Sequence, residues 1–196
     1  MRFSVLASAL AALVMSLNAA PAADQADLDR CKFAGELNKA DEGIAACDRV
    51  VGDSKLSSQD RASALSSRCG WWWAKKDAER ALADCNESIR TYRNLASAYL
   101  NRGNVYLSKS DLEHALADFN EALRLDPKNA WGLAARGNLY KSKGDLDRAL
   151  ADLNEAIGLD PAYALAYFSR AEIYKGKGDI THAMSDLNDT LRLDPN

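Results

Sequence analysis

The sequence offers little from which to build a catalytic or metal centre. Its 196 residues include two histidines, four cysteines and three methionines. No G-x-S-x-G, H-E-x-x-H or P-loop pattern occurs, so neither catalysis, a cofactor nor a bound metal is expected. Four prolines and 11 glycines exclude a collagen-like or Pro-rich stalk. Charge of one sign is scarce too: 28 acidic against 25 basic side chains give a net −3. That balance gives no electrostatic ground for a nucleic acid or anionic membrane partner. Long hydrophobic runs are absent after residue 22, so membrane insertion is not expected. What remains, 47% hydrophobic and 27% charged residues, is ordinary for a folded soluble chain.

The first 22 residues read as an export signal. Arg2 supplies a positive start, Val5 to Leu17 is apolar except for Ser8 and Ser16, and Ala20-Pro21-Ala22 is a small-x-small cleavage site ahead of Asp24. The apolar stretch is short for a membrane span, which needs about 20 residues. The alternative is an uncleaved N-terminal anchor. Cleavage sends the product to the periplasm, or alternatively outside the cell.

The rest of the chain repeats. Segments 62–95, 96–129, 130–163 and 164–196 align in columns: Arg68, Arg102, Arg136 and Arg170; Trp72, Tyr106, Tyr140 and Tyr174; Asp77, Asp111, Asp145 and Asp179; Ala81, Ala115, Ala149 and Ala183. Asp84, Asp118, Asp152 and Asp186 recur with Asn86, Asn120, Asn154 and Asn188 two residues later. Leu-Asp-Pro closes three units, at 125–127, 159–161 and 193–195. Such a fixed period marks a repeat array. Within each unit two apolar stripes at helical spacing flank a break such as Lys-Ser-Lys-Gly-Asp at 141–145. The Asp ending the break suits a helix N-cap, and Pro161 stops the second helix.

These residues resemble the tetratricopeptide repeat family, whose pattern is Trp-x2-Leu-Gly-x2-Tyr, Ala-x3-Phe and Pro. The second unit reads Tyr99, Arg102, Gly103, Tyr106, Ala115, Phe119 and Pro127; the third, Leu133, Arg136, Gly137, Tyr140, Ala149, Leu153 and Pro161. The fourth reads Tyr167, Arg170, Ala171, Tyr174, Ala183, Leu187 and Pro195, and the first is degenerate, with Arg93 in the Pro slot. The resemblance implies an all-α fold: a right-handed superhelical array of antiparallel helix hairpins, an α-solenoid, over 62–196. Residues 23–61 then form a decayed N-terminal hairpin followed by a short insertion around 57–61.

One departure recurs in every unit: Arg stands in the usual Leu slot. Each Arg precedes an Asp by 16 residues, with the hairpin turn midway, so the two sit level on antiparallel helices, about 12 Å from the turn. This predicts an ion pair inside each hairpin that sets register; the alternative is a row of Arg reading an anionic ligand. The cysteines share the spacing. Cys31 and Cys47 are 16 apart, as are Cys69 and Cys85, and an exported chain favours disulfides. The pairing expected is Cys31–Cys47 with Cys69–Cys85, each stapling a hairpin; Cys47–Cys69 with Cys31–Cys85 competes. His114 and His182 share one column and read as solvated surface side chains.

Function then comes from shape, because stacked hairpins present a hollow side to other chains. Carried over from the family, the groove lining is Trp73, Leu100, Asn101, Asn104 and Leu107, then Trp131, Asn138, Lys141, Phe168 and Lys175. Asn104 and Asn138 offer paired donor and acceptor groups to a peptide main chain, and Trp73, Trp131 and Phe168 are apolar anchors; the alternative is that these aromatics cover neighbouring hairpins. Family members that clamp an acidic C-terminal peptide need basic residues where Leu100, Ala135, Leu165 and Ser169 stand, so that clamp is not expected. The expectation is a non-catalytic adaptor binding a protein or peptide partner in its groove. The alternative is a structural accessory subunit of an envelope complex, contacting partners through convex or terminal surfaces. Met184, Leu187 and Leu191 on the last hairpin, which no capping helix follows, suggest a homodimer through that hairpin.

Overall fold

The computed structural model describes residues 23–32 and 37–195; the export signal expected at 1–22 lies outside the described residues. Ten α-helices form among those described: α1 (Gln25–Cys31), α2 (Ala40–Gly52), α3 (Ser58–Ala74), α4 (Ala78–Thr91), α5 (Ala96–Ser108), α6 (Leu112–Leu125), α7 (Ala130–Ser142), α8 (Leu146–Leu159), α9 (Ala164–Gly176) and α10 (Ile180–Leu193). They pack as five antiparallel hairpins, α1/α2 to α9/α10. The fold is an all-α solenoid.

The turns explain where the helices stop. Lys76, Ser110, Gly144 and Gly178 adopt left-handed φ angles of 62°, 61°, 79° and 77°. Each lets the next residue's N–H reach back to the carbonyl of Trp72, Tyr106, Tyr140 or Tyr174, closing the first helix. That next residue is Asp77, Asp111, Asp145 or Asp179, whose carboxylate accepts from the backbone N–H of Arg80, His114, Arg148 or His182. One Asp therefore ends the turn and opens the second helix.

The same caps carry a clasp. Arg80 lies 3.7 Å over the Trp72 ring and Arg148 4.5 Å over Tyr140, while His114 and His182 take the equivalent seats, their ring centroids 5.0 Å from Tyr106 and 5.1 Å from Tyr174. Each of the four also reaches its N-cap Asp side chain. Both histidines are exposed.

The expected Arg–Asp pairs form, and they do more than set register within a hairpin. Arg102 donates through Nε and Nη2 to Asp118, at 2.8 and 2.7 Å, and its Nη1 donates to Asn86 of the preceding hairpin at 2.7 Å. Arg136 does the same with Asp152 and Asn120, and Arg170 with Asp186 and Asn154. Arg68 holds Asp84 and, in place of an Asn, Asp48. The four hairpin Asp residues are 4–8% exposed. Hydrogen bonding to these carboxylates is the main reason each guanidinium is held above its ordinary pKa. Every Arg is thus a rung bolted to two consecutive second helices.

Curvature follows from which helices touch. Successive first helices pack on one another, α1 on α3, α3 on α5, α5 on α7 and α7 on α9, whereas successive second helices make no comparable contact among the described residues. The first helices are therefore the inner, concave layer. Phe119 is fully buried against Gly103, where a methyl group would meet the ring at 2.6 Å.

The N-terminal hairpin is held differently. Cys31 bonds to Cys47 and Cys69 to Cys85, with Cα–Cα distances of 4.6 and 5.5 Å. Helix α1 has 7 residues, too few to stand alone. Besides the cystine, Asp27 ties it down by accepting from Arg49 of α2 at 2.9 and 2.6 Å. Trp71, 2% exposed, packs its ring against Gly43 of α2, and its indole N–H donates to Cys31 O at 3.0 Å. The stretch 57–61, expected as an insertion, is taken up as helix and its N-cap. Ser57 caps α3 by accepting from the Asp60 N–H, so Ser58–Arg61 add a turn, and Arg61 donates to the Asp53 carbonyl at 2.7 Å just beyond the end of α2. Helix α3 consequently has 17 residues against 13 for α5, α7 and α9.

Candidate functional site

The concave face can be read from bonds that cross between first helices. Ser66 of α3 meets Ser97 of α5, with their hydroxyls 3.2 Å apart, and Asn101 of α5 donates to the Ser66 carbonyl at 2.8 Å. Further along, Lys141 of α7 donates to Glu172 of α9 at 2.7 Å. These contacts identify three inward columns, one per helical position. Ser63, Ser97, Trp131 and Leu165 form the first-turn column, Ser63 lying one turn further in because α3 is longer. Gly70, Asn104, Asn138 and Glu172 stand in the middle. Trp73, Leu107, Lys141 and Lys175 stand in the last turns.

Within these columns several side chains are available to a partner. Trp73 is 36% exposed, Trp131 37% and Leu165 50%. Asn104 and Asn138 are half-buried, and neither side-chain amide has a hydrogen-bond partner among the described residues. Each presents one acceptor and two donor hydrogens in a partly dry setting. Lys175 is exposed and unpaired, while Lys141 is occupied by Glu172. Leu107 is half-buried against the core cluster around Phe119.

Leu100 corrects one expectation. It is 2% exposed and packs where a methyl on Gly132 of α7 would meet it at 3.1 Å, so it offers no surface to a partner. Its column mates Ser66 and Ala134 are buried likewise, because the next first helix lies over each. Phe168 occupies the same column but is 42% exposed. Asn101 is spent in the bond to Ser66 and serves the joint between hairpins. A wheel of one helix could not have separated Leu100 from Asn104; only the cover supplied by the neighbouring hairpin does. Among the described residues no group of three or more His, Cys, Asp or Glu side chains is placed to hold a metal ion.

Profiles described as tetratricopeptide repeat match residues 96–129, 119–151 and 164–196, and one described as TPR repeat matches 137–178. Comparison with curated proteins gives no match. Among solved structures the chain is similar to TTC0263, a thermophilic TPR protein in Thermus thermophilus, at 20% identity and a TM-score of 0.71, over 82% of this chain and 86% of that one. It is similar to MamA at 20% identity and a TM-score of 0.63, over 81% and 90%. It is also similar to YrrB, a TPR protein with an unusual peptide-binding site, at 19% identity and a TM-score of 0.58, over 82% and 80%. At such identities the likeness is one of fold.

Proposed function

Because the chain belongs to the tetratricopeptide repeat family, we propose that it is a non-catalytic protein–protein interaction scaffold, exported to the periplasm, that binds a segment of a partner protein in its concave face. The observation that carries the reading is the pair of amides on Asn104 and Asn138, one repeat apart, half-buried and without partners, beside exposed Trp131. Both amides reach solvent, so water satisfies them in the free protein, and a bound polypeptide main chain can take that water's place with both a donor and an acceptor. Export is supported by the signal pattern in 1–22 and by two cystines, which persist in oxidising compartments. No described helix is long and apolar enough to cross a membrane.

The test is in-cell crosslinking from a photoreactive side chain placed at Ser142, beside the groove, followed by mass spectrometry of the envelope fraction. A partner captured by the parent and lost from the Trp131→Ala/Asn138→Ala double variant, with its helical circular dichroism unchanged, supports the reading. Undiminished capture by the double variant assigns binding to another surface. Intact mass of the exported protein should begin at Ala23. A second reading, self-association through α10, is favoured by Met184 and Leu191, 54% and 65% exposed. Light scattering at high concentration tests it, a monomer counting against it.

A further inference from the structure

The inward columns exchange character halfway along the array. In α3 and α5 the last-turn residues are apolar, Trp73 and Leu107, while the first-turn residues are Ser63 and Ser97. In α7 and α9 the order is reversed: the first-turn residues are apolar, Trp131 and Leu165, and the last-turn residues are Lys141 and Lys175. A ligand running straight along either edge of the hollow meets apolar surface for half its path and serine or lysine for the other half. Only an oblique path joins the two apolar corners, and that path passes over the middle column, where Asn104 and Asn138 stand.

We propose that the concave face takes one extended segment lying obliquely across it, with two apolar anchor residues separated by a short uncharged stretch. This rests on the groove reading above and says which segment the groove selects. The anchor spacing follows from the fold. The first-turn and last-turn columns are ten positions apart along a helix, about 15 Å at the helical rise. The two apolar corners are two helix-to-helix steps apart, about 18 Å. The diagonal is then about 23 Å, or about seven residues of extended chain.

An extended segment is favoured over a helix by the middle of the path. The main chain of a helix satisfies itself, whereas an extended chain arrives with free N–H and C=O groups over the two amides that lack partners.

The test uses the full chain and fluorescently labelled synthetic peptides of about 12 residues in a Ser/Thr/Gln background. One carries two Phe anchors seven apart; a control of identical composition carries the anchors three apart. Anisotropy should show the seven-spaced peptide binding about tenfold more tightly. Trp73→Ala and Trp131→Ala should each weaken it by about tenfold. No binding of the seven-spaced peptide at millimolar concentration overturns the proposal, as does equal binding of both spacings. So does tighter binding of a helix-forming peptide with anchors about 15 residues apart. Sensitivity to Trp131→Ala without sensitivity to Trp73→Ala leaves the groove reading standing and removes the oblique path. Peptide binding untouched by Trp73→Ala, Trp131→Ala and Asn138→Ala removes the groove reading itself.

Discussion

Arg136 grips Asp152 of its own hairpin with two nitrogens and Asn120 of the preceding hairpin with the third. The two contacts carry different weights. Asp152 is 7% exposed, so Asp152→Ala strands a guanidinium in a largely dry seat and should cost about 3 kcal/mol. Asn120→Ala removes one exposed hydrogen bond and should cost about 1 kcal/mol. Urea unfolding of the two variants, followed by circular dichroism, checks the ranking.

The two cystines should also differ in what they hold. Each closes a loop of about 15 residues, and opening either should cost about 3 kcal/mol. Replacing Cys31 and Cys47 by Ser should in addition release the seven-residue α1 and wet Trp71, which donates to Cys31 O. Replacing Cys69 and Cys85 should leave α3 and α4 paired, because Arg68 and Asp84 remain beside the joint. Tryptophan emission should shift to the red in the first variant only.

Two glycine substitutions should move stability in opposite directions. A methyl at Gly103 would meet the Phe119 ring at 2.6 Å, so Gly103→Ala should destabilise by about 1–3 kcal/mol. Gly158 lies inside α8 with nothing within 4 Å of a built Cβ, so Gly158→Ala should stabilise by about 0.5–1 kcal/mol. Thermal midpoints of the pair give the answer.

Stability should erode at both ends of the pH scale for identifiable reasons. Burial, with Asp160 nearby, pushes the Tyr163 hydroxyl up to about 12. The unfolded chain ionises this group near its ordinary value of about 10, so its contribution is complete below that value and is lost as pH rises toward 12. Tyr163→Phe should flatten the alkaline limb of the unfolding curve. At the acid end, hydrogen bonds from Arg49 and then Arg30 hold Asp27 well below the usual carboxylate range. Its contribution is present above the ordinary carboxylate pKa and is lost as pH falls beneath it. Asp27→Asn should reduce the acid slope.

Much of the scaffold was legible because repetition supplies its own control. The 16-residue spacing found the Arg–Asp pairs and favoured the cystine pairing observed, since equal distance from a turn means equal height on both helices. The Asn column two residues after each Asp was visible too, but its partner was not. Asn86 accepts from an Arg 16 positions later in the next hairpin, and only the stacking of hairpins brings them together. Stacking likewise hid Leu100, which the family lining placed at the surface and Gly132 admits to the core. Trp71 shares a column with Val105, Leu139 and Ile173, all buried, so the repeat marks it as core; its seat against Gly43 of α2 appears only when the hairpins stack. Trp73, Trp131 and Phe168 keep the exposed surface that an anchor for a partner requires, and their accessibility is as much of the expected role as the fold itself displays.

The arginine rungs have a mechanical consequence. They link the outer helices, which make no comparable contact of their own among the described residues, while the inner helices are in direct contact. Flattening or tightening the arc changes the gap between outer helices first, and so loads those bonds before any others. How wide the hollow opens is thereby governed from the back of the molecule, by side chains that a guest never meets.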